Sequence, residues 1–124
     1  MPQGLSMEQR TGQRYLAAFP ILAEWDENGK RVVEEGETEN VGPCGVLVHL
    51  QRLLPTVGSQ VKLEVANEEG EKLAVMAEVL RLERNAAHPQ AALMLVDQVD
   101  EWQNIVWEHA AIVANLPDDY DEVD

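Results

Sequence analysis

The chain has 124 residues, 45% of them hydrophobic and 26% charged, a one-domain length with enough apolar content for an independent core. Its formal net charge of −14 argues against a nucleic-acid surface, which needs a concentrated cationic face, and an anionic membrane would repel it too. No apolar run approaches the roughly 20 residues of a bilayer span, and Met1-Pro2-Gln3-Gly4 lacks the basic and apolar segments of a signal peptide.

Residues 1–14 mix polar side chains with Met1 and Met7 and carry no periodicity, which reads as a mobile arm. From Tyr15 the pattern becomes that of a strand: Tyr15, Ala17, Phe19, Ile21, Ala23 and Trp25 alternate onto one face. Pro20 cannot donate to a ladder, so this strand is expected at an edge, or with a bulge at that point. Asp26-Glu27-Asn28-Gly29 is a turn, after which Lys30 to Thr38 returns as a second, very polar strand. Gly45 to Leu50 forms a short strand with Val46, Val48 and Leu50 in phase. A turn-rich connection, Leu54-Pro55-Thr56-Val57-Gly58, leads to Gln60–Ala66, where Val61, Leu63 and Val65 point inward. Asn67-Glu68-Glu69-Gly70 reads as a hairpin turn, and Lys72 to Glu83 then sets Leu73, Val75, Ala77 and Val79 on one face. Asn85 to Pro89 breaks the pattern before a last strand, Ala91 to Val96.

After Asp97 the period changes. Val99, Trp102, Val106, His109, Val113 and Leu116 recur at helical steps, with Asp97 or Asp100 placed to cap the start and Gln103 placed for a capping box. Asn115 and Pro117 end the helix, and five acids between Asp118 and Asp124 make a solvated tail. The expected architecture is mostly β: a small antiparallel β-barrel with one C-terminal α-helix packed across an end. It spans residues 15–117, flanked by the arm at 1–14 and the acidic tail at 118–124.

Two segments carry recognisable chemistry. Arg10-Thr11-Gly12-Gln13-Arg14 sets two planar, permanently charged guanidinium groups four residues apart, suited to gripping phosphate and stacking on a purine. Asn40-Val41-Gly42-Pro43-Cys44-Gly45 offers an amide that can read a base edge, then glycines that let backbone approach a ligand closely. Taken singly, these residues have ordinary readings as a solvated arginine pair, a turn asparagine and turn glycines. Together they resemble the RxxxR and (D/N)xSxxG signatures of the PilZ family, with Gly42 where the family has Ser. The order of elements from Arg10 through the C-terminal helix also resembles a PilZ domain, so the resemblance covers nearly the whole chain.

The resemblance implies a receptor for the bacterial second messenger cyclic di-GMP, with ligand-binding residues Arg10, Arg14, Asn40, Gly42 and Gly45. Arg10 and Arg14 would bridge phosphates and reach guanine O6 and N7, Asn40 would accept from guanine N1–H or N2–H, and Gly45 would leave room for the base. A missing serine hydroxyl at Gly42 removes a hydrogen bond worth roughly 0.5–1.5 kcal/mol, and Pro43 reshapes the loop by fixing its own φ. Ordering of the arm over the nucleotide would pass the signal to an unidentified protein partner, with the chain acting as a monomer or homodimer. The alternative is a degenerate PilZ-like domain that serves as a protein-interaction adaptor and binds no nucleotide.

The remaining residues point to no catalysis. His49, His88 and His109 are scattered, with no Cys or His at metal-ligand spacing, so neither a metal nor a cofactor is expected. Cys44 and His49 are a conceivable nucleophile and base, but nothing activates them or supplies an oxyanion hole. Phosphate-cradling P-loop and GxGxxG sequences are absent. The single cysteine, Cys44, fits a reducing compartment, and a soluble cytoplasmic protein is expected. Trp107 falls opposite the inner helix face, either exposed as a contact for a partner or covered by a neighbouring segment. The acidic tail solubilises the chain end or, as a sharper idea, folds back on Arg10 and Arg14 in competition with nucleotide.

Overall fold

Strict two-residue alternation gives each of six segments one apolar face, and an antiparallel sheet buries all of these faces at once by closing on itself. A computed structural model describes residues 13–114, so Arg10 and the acidic tail with its proposed fold-back lie outside the described residues. Its strands are β1 (Tyr15–Leu16), β2 (Pro20–Glu27), β3 (Lys30–Val41), β4 (Gly45–Leu50), β5 (Gln60–Ala66), β6 (Lys72–Glu83) and β7 (Gln90–Leu95). They pair antiparallel in the order β3-β2-β5-β6-β7-β4, and β4 pairs back onto β3, closing a six-stranded barrel. The short β1 continues alongside β3 with Tyr15 opposite Val41 and Leu16 opposite Asn40. The expected mostly β barrel with a C-terminal helix is the fold observed.

The apolar faces meet as the alternation requires. Val46, Val48 and Leu50 of β4, Val61, Leu63 and Val65 of β5, and Val75, Ala77 and Val79 of β6 are buried together with Ile21, Ala23 and Trp25 of β2. Asn28 and Gly29 both take positive φ, 55° and 81°, so the β2–β3 hairpin is a two-residue turn of the kind Asn-Gly favours. Two strands differ from expectation. The Tyr15–Trp25 segment keeps one buried face, but its ladder breaks over residues 17–19, and Pro20 starts β2 in the middle of the sheet rather than at an edge. The buried Thr38 hydroxyl repairs the break, donating to the Ala17 carbonyl and accepting from the Phe19 N–H. Strand β3 runs on to Val41 through a bulge at Glu39, so Asn40 belongs to a strand.

The C-terminal helix is built from α1 (Val99–Trp102), a π-helical turn (Gln103–Trp107) and α2 (Glu108–Ala114). Its capping differs from expectation. Gln98 occupies the N-cap in a left-handed conformation with no side-chain cap, while Asp97 accepts from the Met76 N–H of β6 at 2.9 Å. Asp100 lies in the first turn, where a carboxylate favours the positive end of the helix dipole. Gln103 donates to the Pro43 carbonyl instead of forming a capping box. The wider π turn advances the helix face by part of a turn. Trp102, Val106 and Ala110 are therefore fully buried, and His109, expected inside, is displaced to the flank.

Asn67 fastens the helix to the β5–β6 turn. Its Nδ2 donates to the Ile105 carbonyl within the π turn at 2.9 Å and to Glu71 at 3.0 Å. Its Oδ1 accepts the N–H groups of Glu69 and Glu71. All of the amide's capacity is used in a buried position, so Asn67→Ala should cost about 2 kcal/mol in denaturant unfolding through the groups left unpaired. A loss within the noise of a surface substitution would contradict this anchoring role.

On the flank, His109 Nδ1 lies 2.8 Å from Glu68 Oε2. The hydrogen bond to Glu68 raises the imidazole pKa above its ordinary value of 6.5, against a lowering by partial burial, and the charges of Glu68, Glu69 and Glu71 add to the rise. The folded-state pKa exceeds the unfolded one, so this contribution to stability is complete below the unfolded value and vanishes as pH climbs through the folded value. The melting temperature should therefore fall more for the native chain than for His109→Ala between about pH 6 and about pH 8.5. Parallel pH profiles for the two proteins would remove His109 from the account.

Candidate functional site

Between β3 and β4 the chain reverses through Gly42, Pro43 and Cys44. The Gly42 N–H donates to the Gly45 carbonyl at 2.8 Å, and the Leu95 N–H of β7 donates to the Cys44 carbonyl at 2.9 Å. From the helix side, the buried Trp102 Nε1 donates to the Gly42 carbonyl at 2.8 Å, and Gln103 reaches the Pro43 carbonyl at 3.2 Å. The turn is thus held by its own hairpin bond, by β7 and by the helix. A side chain docking there meets a preformed surface.

Arg14 provides that side chain. It sits one residue before β1, and its guanidinium lies over both glycines. A Cβ added at Gly42 would stand 2.7 Å from Arg14 Nη1; one at Gly45 would stand 3.5 Å from Nη2 and 2.9 Å from the Leu93 carbonyl oxygen. Neither glycine has positive φ, so what both supply is space and not a special backbone conformation. Among the described residues no carboxylate pairs with Arg14.

An open cleft of about 340 Å³ lies against these groups, with Leu80, Leu93 and Met94 completing its wall. Leu80 is the extra residue where the β6–β7 register shifts between Val79 and Arg81, and it lies on the outward phase of β6 at 48% exposure. Met94 stands opposite Gly45 at 44% exposure. Sequence reasoning missed this apolar wall. Met94 and Leu80 were both detectable as apolar residues on the outward phases of β7 and β6.

Of the residues expected to bind, Arg14, Gly42 and Gly45 are brought together, and Arg10 lies outside the described residues. Asn40 is close in sequence but does not line the cleft. Its carboxamide oxygen is buried with no donor reaching it among the described residues. Trp107 is half-buried: its Nε1 donates to the Gln13 carbonyl at 3.1 Å, and its ring lies 6.1 Å from that of Tyr15. It therefore steadies the segment carrying Arg14. Cys44 is exposed, and His49 bonds elsewhere, to the Pro89 carbonyl. No helix among the described residues is long and apolar enough to cross a membrane.

No family profile and no curated protein matches the chain in sequence. Solved structures do match it in shape. The PilZ domain of YcgR from Escherichia coli, determined with c-di-GMP, superposes with a TM-score of 0.62 at 11% identity, over 85% of this chain and 94% of that domain. YcgR from the same organism in complex with c-di-GMP gives 0.66 at 12% identity, over 94% of this chain and 51% of that one. The Bacillus subtilis inhibitor of motility (MotI/DgrA) gives 0.65 at 15% identity, over 87% and 53%. The chain spans about half the length of these last two proteins. Likeness at such identities is likeness of fold, and what two short motifs suggested the whole backbone bears out: the chain has a PilZ-like fold.

Proposed function

We propose that this chain is a non-catalytic PilZ-like module that binds cyclic di-GMP against the Gly42–Gly45 turn and relays binding to a protein partner by ordering the arm that carries Arg10 and Arg14. The observation that carries this reading is the Arg14 guanidinium lying over two glycines, whose missing side chains let it settle on the turn beside an open cleft. A guanidinium suits a phosphodiester or the O6 and N7 edge of guanine. The wall of Leu80 and Met94 offers an apolar surface for a base to lie on, and the Asn40 oxygen, which no donor reaches among the described residues, can accept an N–H once the surrounding segments adjust. Two structures of the same fold, YcgR and its PilZ domain, were determined with c-di-GMP.

The net charge of −14 opposes an anionic ligand at long range. Screening beyond about 8 Å at physiological salt confines that opposition mostly to the encounter rate. A second reading, a protein-interaction adaptor without nucleotide, is favoured by Gly42 in place of the serine and by the exposed Leu80 and Met94.

Calorimetric titration with cyclic di-GMP, with GMP as control, separates the two readings. Saturating heat is expected for the native chain, and Arg14→Ala should weaken binding by about tenfold to a hundredfold, the worth of charge-assisted hydrogen bonds. Because Arg14 is exposed, the ligand-free melting temperature should be unchanged. Equal affinity in Arg14→Ala would sink the site, and no heat from the native chain would leave the adaptor reading.

Gly42→Ser makes a finer test. Its Cβ would press on the far end of a flexible arginine, so the guanidinium shifts while the turn keeps its shape. The added hydroxyl should tighten binding by about a few-fold to tenfold. A loss of affinity there would mean that Arg14 must stay where it now lies.

A further inference from the structure

Three side chains far apart in sequence meet outside the nucleotide cleft: Glu39, His49 and His88 each offer a ligand atom within 4.8 Å of the others. Glu39 is the extra residue of the β3 bulge, where pairing passes from Thr38 opposite Val48 to Asn40 opposite Leu47. With Thr38 buried, Glu39 stays on the outer face that His49 shares, and the bulge shifts the phase of the strand only after it. His49 lies in β4, between Glu37 of β3 and Gln90 of β7, and His88 belongs to the connection before β7. The two imidazole rings stack with centroids 4.2 Å apart and planes 8° apart.

The surroundings prepare these groups as ligands. His49 Nδ1 lies 2.8 Å from the Pro89 carbonyl, which can only accept, so Nδ1 carries the proton and Nε2 keeps its lone pair. A ring nitrogen donating to backbone while the other binds is the usual support of a metal-bound histidine. Gln90 donates to one Glu39 oxygen, while the other oxygen meets His88 Nε2. We propose that Glu39, His49 and His88 form a binding site for a divalent first-row metal ion, with Zn2+ the best match to two imidazoles and a carboxylate and water completing the coordination.

Binding requires one rearrangement. Each imidazole lone pair lies in its own ring plane, so two stacked rings cannot both address one ion. His88, whose side chain is 47% exposed on its connection, turns out of the stack while His49 stays fixed by Pro89. The ligand atoms then settle about 3.4 Å apart, the separation set by bonds of about 2.0–2.1 Å in a tetrahedron, which requires His88 and Glu39 to open from their present direct contact. The ion replaces the hydrogen bond between His88 and Glu39, and the negative field of the chain favours its arrival. Glu68, Glu69 and His109 form a second cluster, but it has one imidazole and two exposed carboxylates, and it serves as the control.

The test is calorimetric titration of the whole chain with Zn2+ in a non-chelating buffer, with Mg2+ alongside. One Zn2+ should bind in the micromolar range or tighter, with little response to Mg2+, which prefers oxygen ligands. His88→Ala and the near-isosteric Glu39→Gln should each weaken binding by about tenfold or more, and His109→Ala should leave it unchanged. Melting of each variant without metal checks that its fold is intact, and ring-proton NMR shifts of His49 and His88 on Zn2+ addition identify the ligands. Absence of Zn2+ binding, binding that survives both Glu39→Gln and His88→Ala, loss in His109→Ala, or equal uptake of Mg2+ would each overturn the proposal. No step depends on cyclic di-GMP, so failure here leaves the nucleotide reading to its own test.

Discussion

The hydrogen bond from the buried Trp102 indole to the Gly42 carbonyl organises the structure around it. An indole N–H taken out of water must find an acceptor, and a tight turn has carbonyls its own ladder does not use. Here the two needs are met at one contact. The largest side chain of the barrel's end plug and the turn that carries the glycine pair therefore cannot be placed independently. Gln103, the next residue, repeats the link at Pro43, and Trp107, one helical turn further on, reaches the Gln13 carbonyl beside Arg14. One face of one helix thus fixes both the floor of the cleft and the residue that lies over it.

This explains what could and could not be read from the chain. Valine-rich alternation in β4, β5 and β6 identifies buried faces because burial there depends only on odd and even position. The strand interruption before Pro20 was half visible, since the missing proline donor was plain, but the remedy lies in Thr38, on another strand. Bulges at Glu39 and Leu80, the π turn and the diverted Asp97 likewise depend on partners remote in sequence, and no local propensity marks them. Arg14, Gly42 and Gly45 could be picked out as a motif because their roles are charge and the absence of a side chain. Asn40 was harder to orient, because its direction is set one residue after a bulge that spacing does not reveal.

The cleft also shows how a strongly acidic protein can keep a locally cationic surface. The acidic side chains of β2 and β3 lie mostly on the outer barrel surface, several of them exposed. Around Gly42 and Gly45 the lining is apolar or backbone apart from Arg14. Within a screening length the nearest charge dominates, so a single guanidinium over neutral surroundings can outweigh a distant excess of carboxylates. Separating the two kinds of surface leaves the solubilising charge with little influence on the site itself.

The two glycines of the turn differ in their freedom to vary. Neither needs a left-handed backbone, so what resists a side chain is the neighbour it would strike. At Gly42 that neighbour is the tip of a long arginine, which can step aside; at Gly45 it is the β7 backbone at Leu93, which is pinned in the barrel ladder. The first position can therefore drift among small residues at little structural cost, while the second is held to glycine by the sheet whether or not a ligand ever binds. The chain departs from the family motif at the position where its own packing is most forgiving.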